Sequence, residues 1–290
     1  MAQREPKNSS RYWIAPSVRG LSFMLAEFTT QEFPPHTHDG FVLAVTEHGG
    51  SQIRSRGDVA QADARALFIF NPEEPHAGWM GRSTYWRYRS FYMTKAAMDQ
   101  LADDLDMKEL PYFLENRVPD ADLIEAFLAA HSGFGGDREP MAARQLMIET
   151  FAKLFSRHGC GRRPVRSEVS DEHRVRQAVD LMRSRYGEQL TLEDLAHPLG
   201  VSIYQLIGLF KRTVGLTPHS YLTQIRLGEA CSLLKRGAGV AETAAVCGFY
   251  DQSALSNHFK RCYALTPLQF ARAHAERKPR PTCNFRQDHT

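Results

Sequence analysis

Phe210-Lys211-Arg212-Thr213-Val214-Gly215-Leu216-Thr217-Pro218 returns as Phe259-Lys260-Arg261-Cys262-Tyr263-Ala264-Leu265-Thr266-Pro267, 49 residues later, with six of the nine positions identical. Repetition at a fixed spacing means one structural unit used twice. The match extends backwards at the same offset, from Leu206 to Leu255 and from Ala196 to Ala245. Ahead of the first copy, Leu192, Leu195, Ala196 and Leu199 mark a short helix, and Gly200-Val201 makes a turn. Ser202 is the expected N-cap of a second helix, with Gln205 three residues on as its capping-box partner. Leu206 and Phe210 then point inward at i, i+4 spacing. Helix, glycine turn and second helix make a helix-turn-helix, whose second helix enters the DNA major groove.

The second copy runs through Val240, Ala244 and Ala245 to a turn at Gly248-Phe249 that is one residue longer. Asp251 is its expected N-cap, with Leu255 and Phe259 inward. Between the copies, Thr217 as N-cap and Pro218 at the first helical position open a helix that runs to Gly237. At 1.5 Å per residue it spans roughly 27 Å. That reach suits two recognition helices about one DNA turn, ~34 Å, apart.

The outward faces follow from the inward ones. The first copy exposes Tyr204, Gln205, Gly208, Lys211 and Arg212, and the second Gln252, Ser253, Ser256, Asn257 and Lys260. Gln and Asn make bidentate bonds to adenine, and hydroxyls serve bases or phosphates. The lysines and arginines at the helix ends, Arg261 among them, hold phosphate and set register. The caps Ser202 and Asp251 complete the candidate DNA-binding set.

Charge agrees with this division without deciding it. Residues 171–290 carry 16 Lys and Arg against 11 Asp and Glu, whereas residues 1–170 carry 20 against 22. A basic C-terminal part suits a polyanion partner. The five cysteines (Cys160, Cys231, Cys247, Cys262, Cys283) show no C-x-x-C spacing, so neither a zinc ribbon nor a thioredoxin-like pair is indicated. Their scatter fits a reducing compartment, with Cys231 and Cys247 buried as small apolar residues. A signal-peptide core and an apolar run of membrane-spanning length are both missing, so a soluble cytoplasmic protein with no membrane partner is expected.

Residues 12–93 read as β-structure. The runs Leu21–Leu25, Phe41–Val45, Ala66–Phe70 and Tyr85–Tyr92 are separated by turn signals such as Pro34-Pro35, Gly49-Gly50, Gly57-Asp58 and Asn71-Pro72. Short strands at this spacing predict a small barrel or sandwich. Helical spacing follows at Met98, Leu101 and Leu105, at Leu123, Ile124, Phe127 and Leu128, and at Leu146, Met147, Phe151, Leu154 and Phe155. These three helices either simply pack on the barrel or, in the preferred reading, turn one apolar stripe into a dimer interface. Strand alternation puts Trp86, Tyr88, Ser90 and Tyr92 on one face and Arg87, Arg89 and Phe91 on the other. Facing inward, Trp86 and Tyr88 would stack on a small-molecule effector while His36, His38 and His76 fix its polar groups. The alternative for the aromatics is plain core filling.

The region 171–276 resembles the AraC/XylS family of transcriptional regulators. The residues that carry the resemblance are Leu192-Glu193-Asp194-Leu195-Ala196, Gly200-Val201-Ser202, the two Phe-Lys-Arg segments and Gly248-Phe249-Tyr250-Asp251-Gln252-Ser253. It implies two helix-turn-helix subdomains joined by one helix, and activation through contact with RNA polymerase. Three positions depart from the pattern. Gly208 replaces a larger polar residue and weakens base readout by the first copy. Pro198 should fray the last turn of the first short helix. Ala264 stands where the first copy has Gly215, so a left-handed conformation there costs more.

Pro34-Pro35-His36-Thr37-His38-Asp39 and Asn71-Pro72-Glu73-Glu74-Pro75-His76 resemble the cupin-type effector domain common in that family. Metal-dependent cupins add a Glu a few residues after H-x-H, but that position falls around Val42-Leu43 here, and the nearest carboxylate is Glu47. Three histidines suit zinc or iron. Without the fourth ligand no metal or other cofactor is expected.

The whole is an α+β multidomain chain: a cupin-like β-barrel with flanking helices, then an all-α domain with two helix-turn-helix subdomains. The boundaries are 1–160 for effector binding and dimerisation, 161–170 for a linker, 171–276 for DNA binding and 277–290 for a disordered tail. The function read is a sequence-specific, effector-controlled transcription regulator, an activator acting on double-stranded promoter or operator DNA as a homodimer. No nucleophile–base pair, P-loop or dinucleotide fingerprint marks it as an enzyme. The alternatives are a metal-dependent cupin enzyme with a DNA-binding appendage and a non-specific DNA-packaging protein.

Overall fold

The computed structural model describes residues 8–15, 18–135, 140–160 and 169–275. Most of the expected linker, the whole tail and Cys283 lie outside them. The N-terminal part is built on one long strand, β4 (Phe41–Ser55), whose two halves serve different neighbours. Residues 41–49 pair with β8 (Trp86–Met93), and 42–45 also pair with β6 (Leu67–Phe70). Residues 50–55 pair with β5 (Asp58–Asp63), and 52–55 with β7 (His76–Trp79). Strands β1 (Ser9–Ile14) and β2 (Leu21–Phe28) extend the first group beyond β8, while β3 (Glu32–His36) pairs with β7. The short β10 (Arg117–Val118) closes on β6, so nine strands join in one sheet-rich cupin-like domain. The first strand begins at Ser9, earlier than the sequence suggested, because its backbone pairs with β2 from Ser9↔Glu27 onward.

Alternation sorts the side chains as the period of a strand requires. Leu21, Phe23, Leu43, Val45, Phe91 and Met93 face α1 (Lys95–Asp104), α2 (Ala121–Phe134) and α3 (Pro140–His158) in one core. The apolar stripes of α2 and α3, including Phe127, Met147, Phe151 and Leu154, are buried in that same core. The stripe expected at a dimer interface is therefore used inside the domain. A two-stranded ribbon of β9 (Tyr112–Phe113) and β11 (Gly159–Cys160) ends this part.

The C-terminal part is all helical: α4 (Val169–Ser184), α5 (Leu192–Ala196), α6 (Ile203–Val214), α7 (Pro218–Arg236), α8 (Val240–Val246), α9 (Gln252–Tyr263) and α10 (Pro267–Ala275). Helix α4 starts at Val169, two residues before the expected boundary. The caps read from sequence are made. Ser202 and Gln205 exchange both bonds of a capping box, and the Thr217 and Asp251 side chains accept from the backbone N–H of Ser220 and Ala254. Since α5 stops at Ala196, Pro198 ends the α-helix rather than fraying it. It sits in a separate 3₁₀ turn, His197–Leu199, where its fixed φ is compatible and its missing N–H is harmless.

The two helix-turn-helix units have different cores. Helices α4, α5 and α6 bury Met182, Leu195, Leu206 and Phe210 in one cluster, with Leu222 of α7. Helices α7, α8, α9 and α10 bury Leu227, Ala230, Leu255, Phe259 and Phe270 in another, and that cluster continues into Met24, Phe28, Trp86 and Tyr88 of the sheet. Tyr12 stacks on Phe270 at 5.8 Å, and Ser10 Oγ donates to the Ala264 carbonyl at 2.8 Å. The second unit is thus docked on the N-terminal domain.

Candidate functional site

Both recognition helices, α6 and α9, bury one stripe and present the rest. Tyr204, Gln205, Lys211, Arg212, Gln252, Ser253, Asn257, Lys260 and Arg261 are exposed, while Gly208 and Ser256 are half-buried. Several of these have structural duties as well. Gln205 Oε1 accepts from the Ser202 N–H at 2.8 Å, and the Asp251 carboxylate accepts from the Ala254 N–H at 2.6 Å. Ser202 and Asp251 are therefore caps that orient the helices. Arg212 pairs with Asp171 of α4 at 3.0 Å, which positions its guanidinium beside the first unit.

One residue with a claim on this surface escaped the sequence reading. Tyr250 stands just before the second recognition helix and is 94% exposed, against 87% for Tyr204 near the start of the first. An exposed tyrosine carries no periodicity, so only its accessibility reveals it. The preceding turn is held tight by Gly248 (φ 72°), where an added Cβ would lie 2.8 Å from the Tyr186 carbonyl oxygen.

The N-terminal histidines converge. Residues His36 and His76 face each other across β3 and β7, and His38 follows two residues on. One ring nitrogen from each of the three lies within 4.8 Å of the others. His36 Nδ1 meets the Pro34 carbonyl at 2.7 Å and His76 Nδ1 the Glu74 carbonyl at 2.9 Å. Phe70 stacks on the His76 ring at 3.9 Å. Burial, then the neighbouring His76, pushes the His36 imidazole down to about 3, and burial lowers His38 and His76 as well. Burial alone would raise Glu74, but hydrogen bonds from Arg56, Ser55, Asn71 and Asn116 hold it below the usual carboxylate range. Glu47, the nearest carboxylate in sequence, is engaged by Arg87 and Arg89 at 2.9 Å each.

Trp86 and Tyr88 take the core-filling alternative. Each is 5% exposed, they stack at 4.7 Å, and Trp86 Nε1 donates to Thr46 Oγ1 at 3.3 Å. The open space lies elsewhere. A cavity of about 360 Å³ sits between the sheet and the helical domain. Tyr12, Met24, His38 and Tyr92 form part of its wall from one side, and Gln224, Gly228, Lys235 and Tyr263 from the other. Of the five residues expected to bind an effector, only His38 lines it. Cys231 also lines it and is half-buried, whereas Cys247 is fully buried as expected. Alternation had placed Tyr92 on the right strand face. Nothing local could show that residues from Tyr12 to Tyr263 share one wall.

Comparison with known proteins bears on both halves. Residues 20–151 match the AraC-like ligand binding domain, and residues 195–273 match a helix-turn-helix domain. The chain is 26% identical over 77% of its length to YbfI of Bacillus subtilis, an HTH-type transcriptional regulator, covering 81% of that protein. It is 23% identical over 81% of its length to the transcriptional activator RhaS of Salmonella paratyphi A, covering 86% of that protein. Among solved structures, ToxT of Vibrio cholerae with a bound unsaturated fatty acid aligns with a TM-score of 0.51 at 12% identity, over 93% of this chain and 97% of that one. At that identity the likeness establishes the fold.

Proposed function

The chain belongs to the AraC family of transcription regulators, with an AraC-like ligand binding domain ahead of a helix-turn-helix domain, and on that premise we propose that its effector binds in the cavity between the two. The observation that carries this reading is that one cavity takes its wall from both domains. A ligand there touches α7, the helix that joins the two DNA-binding units. Its affinity then depends on how the domains dock, and such differential affinity is what control requires.

The wall combines apolar Met24, Phe41, Ile225 and Phe270 with polar Tyr12, Gln224 and Lys235. It suits a small amphipathic molecule with an apolar body and a hydrogen-bonding or anionic end. The fatty acid held by ToxT is of that chemical class. Lys235 stands 5.7 Å from the Phe270 ring, and both residues line the cavity.

On the DNA side, Tyr204, Gln205, Gln252, Ser253, Ser256, Asn257 and Tyr250 face base edges and sugars, while Lys211, Arg212, Lys260 and Arg261 hold phosphate. The protein acts as an activator, the role RhaS is named for; it works in the cytoplasm through contact with RNA polymerase and performs no catalysis. It pairs as a homodimer through a surface other than the buried stripes of α2 and α3.

Two measurements test this. Genomic fragments selected by the purified protein should share a motif of two half-elements about one turn apart. A motif that survives Gln252→Ala with Asn257→Ala would remove the contact assignment. For the cavity, a Cβ at Gly228 meets nothing within 4 Å, so Gly228→Phe can fill the space. Amphipathic acids that raise the melting temperature of the wild type should leave Gly228→Phe unmoved. Equal shifts in both proteins would place the effector elsewhere.

A further inference from the structure

The three histidines do more than fill space. In a core, buried imidazoles are satisfied by protein partners. Here the Nδ1 atoms of His36 and His76 meet backbone carbonyls and so carry the protons, which leaves the Nε2 lone pairs of both rings for something else. Among the described residues those Nε2 atoms make no hydrogen bond, and His38 makes none with either nitrogen. A backbone carbonyl on the far nitrogen is the partner that fixes the tautomer and orientation of a metal-binding histidine. The rings are further held by Phe70 on His76 and by Phe33, 6.0 Å from His36.

We propose that His36, His38 and His76 form a binding site for one first-row divalent cation of the zinc class. Three imidazoles with no thiolate or carboxylate suit zinc and its borderline neighbours rather than magnesium or calcium. Ligand nitrogens around a tetrahedral zinc stand about 3.3 Å apart, given bonds of about 2.05 Å. The present spread, within 4.8 Å, needs only small side-chain adjustments. The missing carboxylate, which argued against a metal from sequence, is not required: three histidines plus one open position make a complete site. His38 lines the inter-domain cavity, which gives water or a small anion a path to that open position. The ring of Tyr263, from the end of the second recognition helix, lies 6.1 Å from the His38 ring. The site therefore touches the DNA-binding half directly. It stands whether or not the cavity takes an organic effector.

The test uses the full chain, stripped with chelator and titrated with Co²⁺. One equivalent per chain is expected, with the intense visible bands of a tetrahedral cobalt centre, bands that shift on adding azide and vanish on adding Zn²⁺. His38→Gln at the cavity wall should abolish the bands while circular dichroism stays unchanged. His36→Gln and His76→Gln should do the same where they fold. Substoichiometric uptake by the wild type overturns the proposal. So do weak octahedral-type bands, or full uptake by folded His38→Gln, which place the ion elsewhere.

Discussion

The two helix-turn-helix units share a sequence repeat and a capped recognition helix, yet they sit in different company. The first closes its core with its own helices and Leu222 of α7. The second shares its core with the sheet, stacking Phe270 on Tyr12 and holding the Ala264 carbonyl with Ser10. Identical motifs therefore do not imply identical mechanical roles. A change in the N-terminal domain reaches the second unit through a shared packed core, whereas it reaches the first along α7 and through the close approach of Gly215 to Pro75.

The largest test of this asymmetry is a pair of truncations. Phe210 and Phe259 are both fully buried, so Phe→Ala at either should cost about 3–5 kcal/mol. Hydrogen exchange should separate them. Phe259→Ala should also loosen amides of β1 and β3, whereas Phe210→Ala should leave those strands protected. Equal loosening by both would mean that the units are coupled symmetrically.

Acid should act on the same boundary. His131 is completely buried, its ring meets the Met24 carbonyl at 3.1 Å, and burial followed by Arg89 lowers it to about 3. Above its unfolded value near 6.5 both states are neutral and stability is full. As pH falls below that value the unfolded chain takes up a proton that the folded chain refuses. Stability then drops by about 1.4 kcal/mol per pH unit until pH approaches 3. Comparing His131→Gln with wild type from pH 7 to 4.5 should show a shallower loss in the variant, by about 2–3 kcal/mol at the acid end. Parallel curves would remove His131 from the acid response. Because the strand it supports carries Met24 of the shared core, the second unit should lose exchange protection before the first.

A smaller effect concerns DNA. The second unit presents Gln252 and Asn257, and the first has Gly208 where a longer side chain could read a base. Alanine at Gln252 or Asn257 should each cost about 1–3 kcal/mol of site-specific affinity. Gln205→Ala should cost less affinity, and part of its effect should appear as helix stability, since it also removes a capping bond. A binding assay against cognate and scrambled duplexes at fixed salt separates these, because a lost phosphate contact weakens both equally.

What the sequence disclosed and what it withheld follow the same division. The caps at Ser202, Thr217 and Asp251 and the stop at Gly237 are decided within a few residues, so they could be read directly. The inward pairs Leu206 with Phe210 and Leu255 with Phe259 follow from helical period alone. The histidines were visible as a pattern, but their convergence depends on β3 pairing with β7, and that is a long-range event. The cavity was invisible, since Met24 and Lys235 meet only after both domains have folded and docked. Trp86 and Tyr88 misled because strand alternation gives a face and does not say whether the space beyond it is open.

The smallest prediction isolates the junction itself. Gly215 and Ala264 end the two recognition helices in the left-handed conformation, at φ 71° and 55°. Glycine adopts it freely, whereas alanine there is strained by about 1 kcal/mol. Ala264→Gly should therefore stabilise the chain by about 0.5–1 kcal/mol, less the added entropy of glycine in the unfolded chain. The reciprocal Gly215→Ala should destabilise by at least as much, because its Cβ would also come within 3.2 Å of Pro75 Cγ. The carbonyl of Ala264 is the atom that Ser10 holds, so the strain at this cap and the docking of β1 act on one residue. Ser10→Ala tests whether they are linked. If the hydrogen bond helps keep Ala264 left-handed, the gain from Ala264→Gly should grow when Ser10 is replaced. If the two changes simply add in thermal melts, the cap is held by its own helix, and the second unit is docked by the shared apolar core without help from the Ser10 hydrogen bond.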